Sequence, residues 1–123
     1  MSEPQPSTAY RCGQLYATLH VLRSVGTGDR ALDKQEARDK VQKRPEEHLG
    51  TPLSKAAQYV MAARRKGADR GKAADELFRA IADFIPANGK LPAALGEGEK
   101  EEFATGFHQQ MAEYTPVHGR LMK

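Results

Sequence analysis

The stretch YRCGQLYATLHVL (residues 10–22) decides the fold. Its apolar residues Cys12, Leu15, Tyr16, Leu19 and Leu22 recur at intervals of three and four, the spacing of one helical face. Ser7 or Thr8 can cap the start by accepting a first-turn N–H. The breakers Gly-Thr-Gly-Asp (26–29) should stop the helix near Val25.

The same period returns three times. Thr51 is a good cap with Pro52 at the first helical position, and Leu53, Ala56, Ala57, Val60 and Met61 form a stripe that ends before Gly67. Asp69 or Asp75 starts a third helix, with Ala74, Leu77, Phe78, Ile81 and Ile85 on one face and Pro86 stopping it. A fourth begins after GEGE (96–99), carries Phe103, Phe107, Met111 and Tyr114 in register, and ends at Thr115-Pro116. Residues 29–48 hold strong helix formers but only Leu32, Ala37 and Val41 to bury. They read as a mostly exposed helix or as a loop that orders against a partner. PANGKLPAAL (86–95) is a broken connection, and no alternating β-branched run marks a strand. The expected fold is all-α, a single-domain bundle of four to five helices over residues 9–115. A flexible lead (1–8) and a C-terminal tail (116–123) flank it.

A length of 123 residues suits one core, and with no Trp and 7% aromatics that core must rest on aliphatic residues and four Phe. Cys12 is the single cysteine, which excludes an internal disulfide framework and a Cys-based zinc site. No apolar run is long enough to span a bilayer. MSEPQPST (1–8) lacks the basic and apolar regions of a secretory signal, so the expected location is cytoplasmic.

The net charge of +3 is unevenly spread. Residues 11–72 hold fourteen Lys/Arg against seven Asp/Glu, whereas residues 73–123 hold five against eight. Such a split fits one surface facing a polyanion and another facing protein, or simply solvated helix faces.

Enzymatic signatures are sparse. There is no phosphate-cradling glycine loop, and His20, His48, His108 and His118 stand too far apart for a helical metal pair. Cys12 lies on the apolar stripe and reads as a small core residue. Glu97, Glu99, Glu101 and Glu102 open the last helix, where acids complement the dipole. We therefore expect no catalytic residues, no metal and no cofactor. The basic clusters are the stronger signal. Arg64, Arg65, Lys66, Arg70 and Lys72 surround a helix–turn–helix junction, and Arg38, Lys40, Lys43 and Arg44 form a second group. Neither is interleaved with aromatics, which favours sequence-independent phosphate contact over base stacking.

Three segments resemble the C-terminal helical domain of the large subunit of type I-C CRISPR Cascade complexes, which is also made as a separate small subunit. They are YRCGQLYATLHVL (10–22), RDKVQKRPEEHLGTPLSKAAQYV (38–60) and LPAALGEGEKEEFATGFHQQ (91–110). The matching positions are Tyr10, Gly13 and Leu15; Arg38, Asp39 and Lys40; Thr51 and Pro52; then Pro92, Ala93, Leu95, Phe103, Ala104, Gly106, Phe107 and Gln110. The resemblance spans roughly residues 9–114. It implies a non-catalytic bundle that packs on the backbone subunits, the large subunit and other small-subunit copies. It also implies contact with the guide RNA/target DNA R-loop, chiefly holding the displaced non-target strand. A purely protein-binding helical adaptor stays open beside it, as does, more remotely, an enzyme using His108 with Glu101 or Glu102. Within EEFATGFHQQ (101–110), Phe103 and Phe107 read as core anchors and Gly106 as a close-packing point, with His108 and Gln109 turned toward solvent or a partner.

Overall fold

Helix α1 (Thr8–Thr27) is the axis about which the rest of the chain is arranged. From Ala9 to Gly26 only Tyr10, Arg11, Gln14 and Arg23 escape full burial. The expected stripe is therefore an underestimate, since Ala17, Thr18, His20, Val21 and Ser24 are buried as well. A helix covered on all sides needs internal partners for its hydroxyls. Thr18 Oγ1 donates to the Gln14 carbonyl (2.9 Å) and Ser24 Oγ to that of His20 (2.8 Å). The Ser7 side chain accepts the Tyr10 N–H, and Gly28, in a left-handed conformation, closes the other end through its N–H to Ser24. The helix thus runs two residues past Val25.

The computed structural model describes residues 7–29, 32, 34–85 and 89–122. After α1 come α2 (Gln35–Lys43), α3 (Pro45–Ser54), α4 (Ala56–Lys66), α5 (Ala68–Phe84) and α6 (Glu97–His118), then a 3-10 turn, Gly119–Met122. Because α3 and α4 meet at one near-helical residue, Lys55, they form a single bent rod, which leaves five rods. The protein is an all-α bundle, with no strand among the described residues.

The first and last long helices run parallel. Gln14 Nε2 donates to Gln110 Oε1 (3.2 Å), and the Thr18 and Tyr114 hydroxyls share a hydrogen bond (2.8 Å), both pairs offset by 96 residues. Tyr16 wedges its ring between Phe103 (5.9 Å) and Phe107 (5.5 Å), the anchors expected from the sequence. Gly106 is the expected close-packing point: a Cβ there would overlap the Tyr10 carbonyl. Helix α5 lies antiparallel to α1, since Arg11 near one end reaches the Asp83 carbonyl and Arg70 near the other reaches that of Val25. Helix α4 completes the wall by setting Tyr59 against Gly26.

Several boundaries differ from expectation. Thr51 and Pro52 lie inside α3, which Pro45 starts, and Pro52 is followed by the bend at Lys55 rather than by a fresh helix. The buried face of α4 is Ala56, Tyr59, Val60 and Ala63, while Ala57 and Met61 are exposed. On α5, Phe78 is exposed too, and the expected stop at Pro86 falls outside the described residues. Helix α6 starts at Glu97, inside GEGE, because the Glu99 carboxylate accepts the Gly96 N–H (3.0 Å). It also passes through Pro116, since burial of His118 and Met122 beyond the proline outweighs the missing N–H. Residues 116–118 thus continue α6 and Gly119–Met122 form the 3-10 turn, with His118 and Met122 buried. Of the expected lead, residues 1–6 lie outside the described residues and Thr8 already belongs to α1.

Segment 29–48 contributes α2, exposed apart from Val41 and the half-buried Ala37, Arg38 and Gln42. Gly89–Gly96 is the non-helical connection into α6.

Candidate nucleic-acid interface

Gly67 is where two helix ends meet. It terminates α4, whose last turn is Arg64-Arg65-Lys66, and it is also the N-cap of α5. Its φ of 142° is one that side-chain-bearing residues rarely adopt, which explains a glycine here. Three cations suit the negative carbonyl end of α4, and Asp69 suits the positive end of α5. The α5 cap has no side-chain hydrogen bond, and a cavity of about 300 Å³ there is lined by Lys66, Gly67, Ala68, Asp69, Arg70 and Leu121. A lysine at a helix start suits an oxyanion, and the Asp69 carboxylate in the same lining opposes one.

The five cations of this cluster divide by role. Arg64 pairs with Asp75 (2.8 Å) and packs its stem on Gly71, holding α4 to α5. Arg70 is half-buried and donates to the carbonyls of Val25 and Leu121, tying α5 to the end of α1 and to the C-terminal turn. Arg65, Lys66 and Lys72 are exposed and make no hydrogen bond or ion pair among the described residues.

The second cluster sorts the same way. Arg38 stacks over the Phe107 ring (5.2 Å) and donates to Gln35 (2.9 Å), so it fastens α2 to α6. Arg44 pairs with Glu47 (3.3 Å) at a solvated site where the pair adds little stability. Lys40 and Lys43 are exposed and without such partners among the described residues. The two clusters sit at different stations along α1. Helix α2 sits by Phe107, which Arg38 covers and which packs on Tyr16, and the α4–α5 turn sits at Val25. Those stations are about 13 Å apart along α1.

No family model, curated protein or solved structure matches the chain.

Elsewhere the chemistry is muted. Burial pushes the Cys12 thiol up to about 11, which keeps it protonated and a poor nucleophile near neutral pH. Tyr114 is likewise raised by burial, so its hydroxyl stays available to Thr18. His108 is exposed, edge-on to Phe107, and Gln109 accepts from the Tyr10 hydroxyl. Among the described residues no three His, Cys, Asp or Glu side chains gather as a metal site. No helix is long and apolar enough to cross a membrane among those residues.

Sequence reasoning has no means to find two features. The contact of Gly13 with the Phe103 and Phe107 backbone requires the partner helix to be known. The exposure of Met61 and Phe78 requires the direction of the core.

Proposed function

We propose that this chain is a non-catalytic small subunit of a CRISPR RNA-guided surveillance complex, holding displaced DNA by sequence-independent phosphate contacts. One observation carries the reading: Arg65, Lys66 and Lys72 lie exposed close together in sequence around the α4–α5 turn, with no side-chain partner among the described residues. No aromatic ring stacks with them among the described residues, which suits backbone rather than base contact. Lys40 and Lys43 on α2 offer a second, separate contact. Arg38, Arg64 and Arg70 take structural roles in this scheme, and Arg44 a peripheral one.

The test is single-stranded DNA binding by the assembled complex across a salt series, with Arg65, Lys66 and Lys72 replaced by Ala. The slope of log affinity against log salt should flatten by about 0.7 for each phosphate no longer neutralised. An unchanged slope together with unchanged R-loop formation overturns the assignment. The second reading, a purely protein-binding adaptor, is favoured by the half-exposed Met61 and Phe78. Under it, assembly proceeds equally well without nucleic acid.

A further inference from the structure

Between α4 and α5, on the side away from α1, runs an open groove of about 220 Å³ lined by Ala57, Val60, Met61, Arg64, Asp75 and Phe78. Met61 and Phe78 are 51% and 44% exposed, which leaves two large apolar side chains in water at the groove. Isolated exposed apolar residues need no explanation, but two that line one concavity form a surface.

The rows next to the groove are basic, with an acidic row beyond them on α5. Residues seven apart on a helix share a row. On α5, Lys72 and Arg79 form the row next to the groove, outside Asp75 and Ala82, whereas Asp69, Glu76 and Asp83 form a row farther round. On α4, Arg65 follows Met61 at helical spacing on the opposite rim. Arg65, Lys72 and Arg79 are exposed and have no ion-pair partner among the described residues. The only acid lining the groove, Asp75, is neutralised by Arg64 at 2.8 Å.

We propose that this groove docks an acidic amphipathic helix of a partner protein. A helix presents apolar residues at i, i+4 and i+7 on one face, matching an apolar floor two turns long, with flanking residues that meet the rims. Glutamates at those flanks complement Arg65, Lys72 and Arg79, and that complementarity selects the acidic partner. A phosphate backbone has nothing to bury on Met61 and Phe78. The proposal shares Arg65 and Lys72 with the nucleic-acid reading, but it rests on Met61 and Phe78, which that reading does not use.

The test uses a fluorescein-labelled, stapled helical peptide with Leu at i, i+4 and i+7 and Glu elsewhere, titrated into the full chain and read by anisotropy. We expect saturable binding, at least about tenfold weaker for the counterpart with Lys in place of Glu. Binding should be abolished in Met61→Glu/Phe78→Glu, whose thermal unfolding should match the parent because both sites are exposed. Equal binding of the two peptides, or binding retained by the double variant, overturns the proposal. So does self-association in sedimentation, or DNA binding, that depends on Met61 and Phe78 while the peptide does not bind. Loss of peptide binding leaves the salt-slope result for Arg65, Lys66 and Lys72 untouched, so the two failures are distinguishable.

Discussion

Gly106 of α6 lies against the Tyr10 carbonyl of α1 with no room for a side chain between them. Gly13 of α1 does the same to the Phe103 and Phe107 backbone, so the two helices touch main chain to main chain. Gly106→Ala should force them apart and lower the unfolding free energy by about 1–3 kcal/mol. That loss comes despite the roughly 1 kcal/mol that alanine gains over glycine in helix propensity. Gly98, in the first turn of the same helix, has open space around it, so Gly98→Ala should be neutral or stabilising. Urea unfolding of the two variants checks the contrast, and equal effects would refute it.

Arg70 makes contacts that hold the fold together. Its guanidinium holds the carbonyls of Val25 and Leu121, so Arg70→Ala should lower stability by about 1.5–3 kcal/mol, the range for hydrogen bonds to charged groups. Amides of the turn Gly119–Met122 should exchange faster with solvent in that variant. Arg65→Ala and Lys66→Ala, both at exposed sites, should stay within about 0.5 kcal/mol of the parent. An Arg70→Ala chain of parental stability that no longer bound DNA would return Arg70 to the interface.

His118 is buried in the last turn of α6, 5.9 Å from the Tyr114 ring, and burial lowers its pKa below the usual 6.5 against the opposing pull of Glu76 on α5. The unfolded chain therefore takes up this proton first as pH falls. Its contribution is full above pH 6.5 and declines from there until the folded state also protonates. Urea unfolding at pH 7.5 and pH 5.5 should show a smaller drop for His118→Gln than for the parent. An identical drop in the two proteins would exclude His118 as the source.

Helix periodicity locates the core elements because burial repeats with the helical turn, and it identifies Phe103, Phe107 and Leu77 as inward-facing residues. It cannot choose between adjacent apolar rows. On α4 the core takes Ala56, Tyr59, Val60 and Ala63, because α1 and α5 flank that side, and leaves Met61 out. Reading proline as a helix boundary fails twice: Pro52 sits inside α3 and Pro116 inside α6, each held by burial nearby that a local rule does not see. In the basic clusters the residue types are visible from sequence but their roles are not. Arg64 meets an acid 11 residues on, and Arg70 meets carbonyls 45 and 51 residues away. Only the folded contacts separate those fasteners from Arg65, Lys66 and Lys72.

The parallel pairing of α1 with α6 also sets a schedule for synthesis. The wall that covers Gln14 and Thr18 is translated 96 residues after them. At ordinary translation rates that delay is about 5–20 s. Throughout it, a helix destined for burial along most of its length is already made while one side of it has no neighbour. Maturation of this protein is therefore exposed to aggregation and to chaperone capture at its first helix, and substitutions that make residues 10–22 more apolar should reduce the yield of folded chain before they change its final stability.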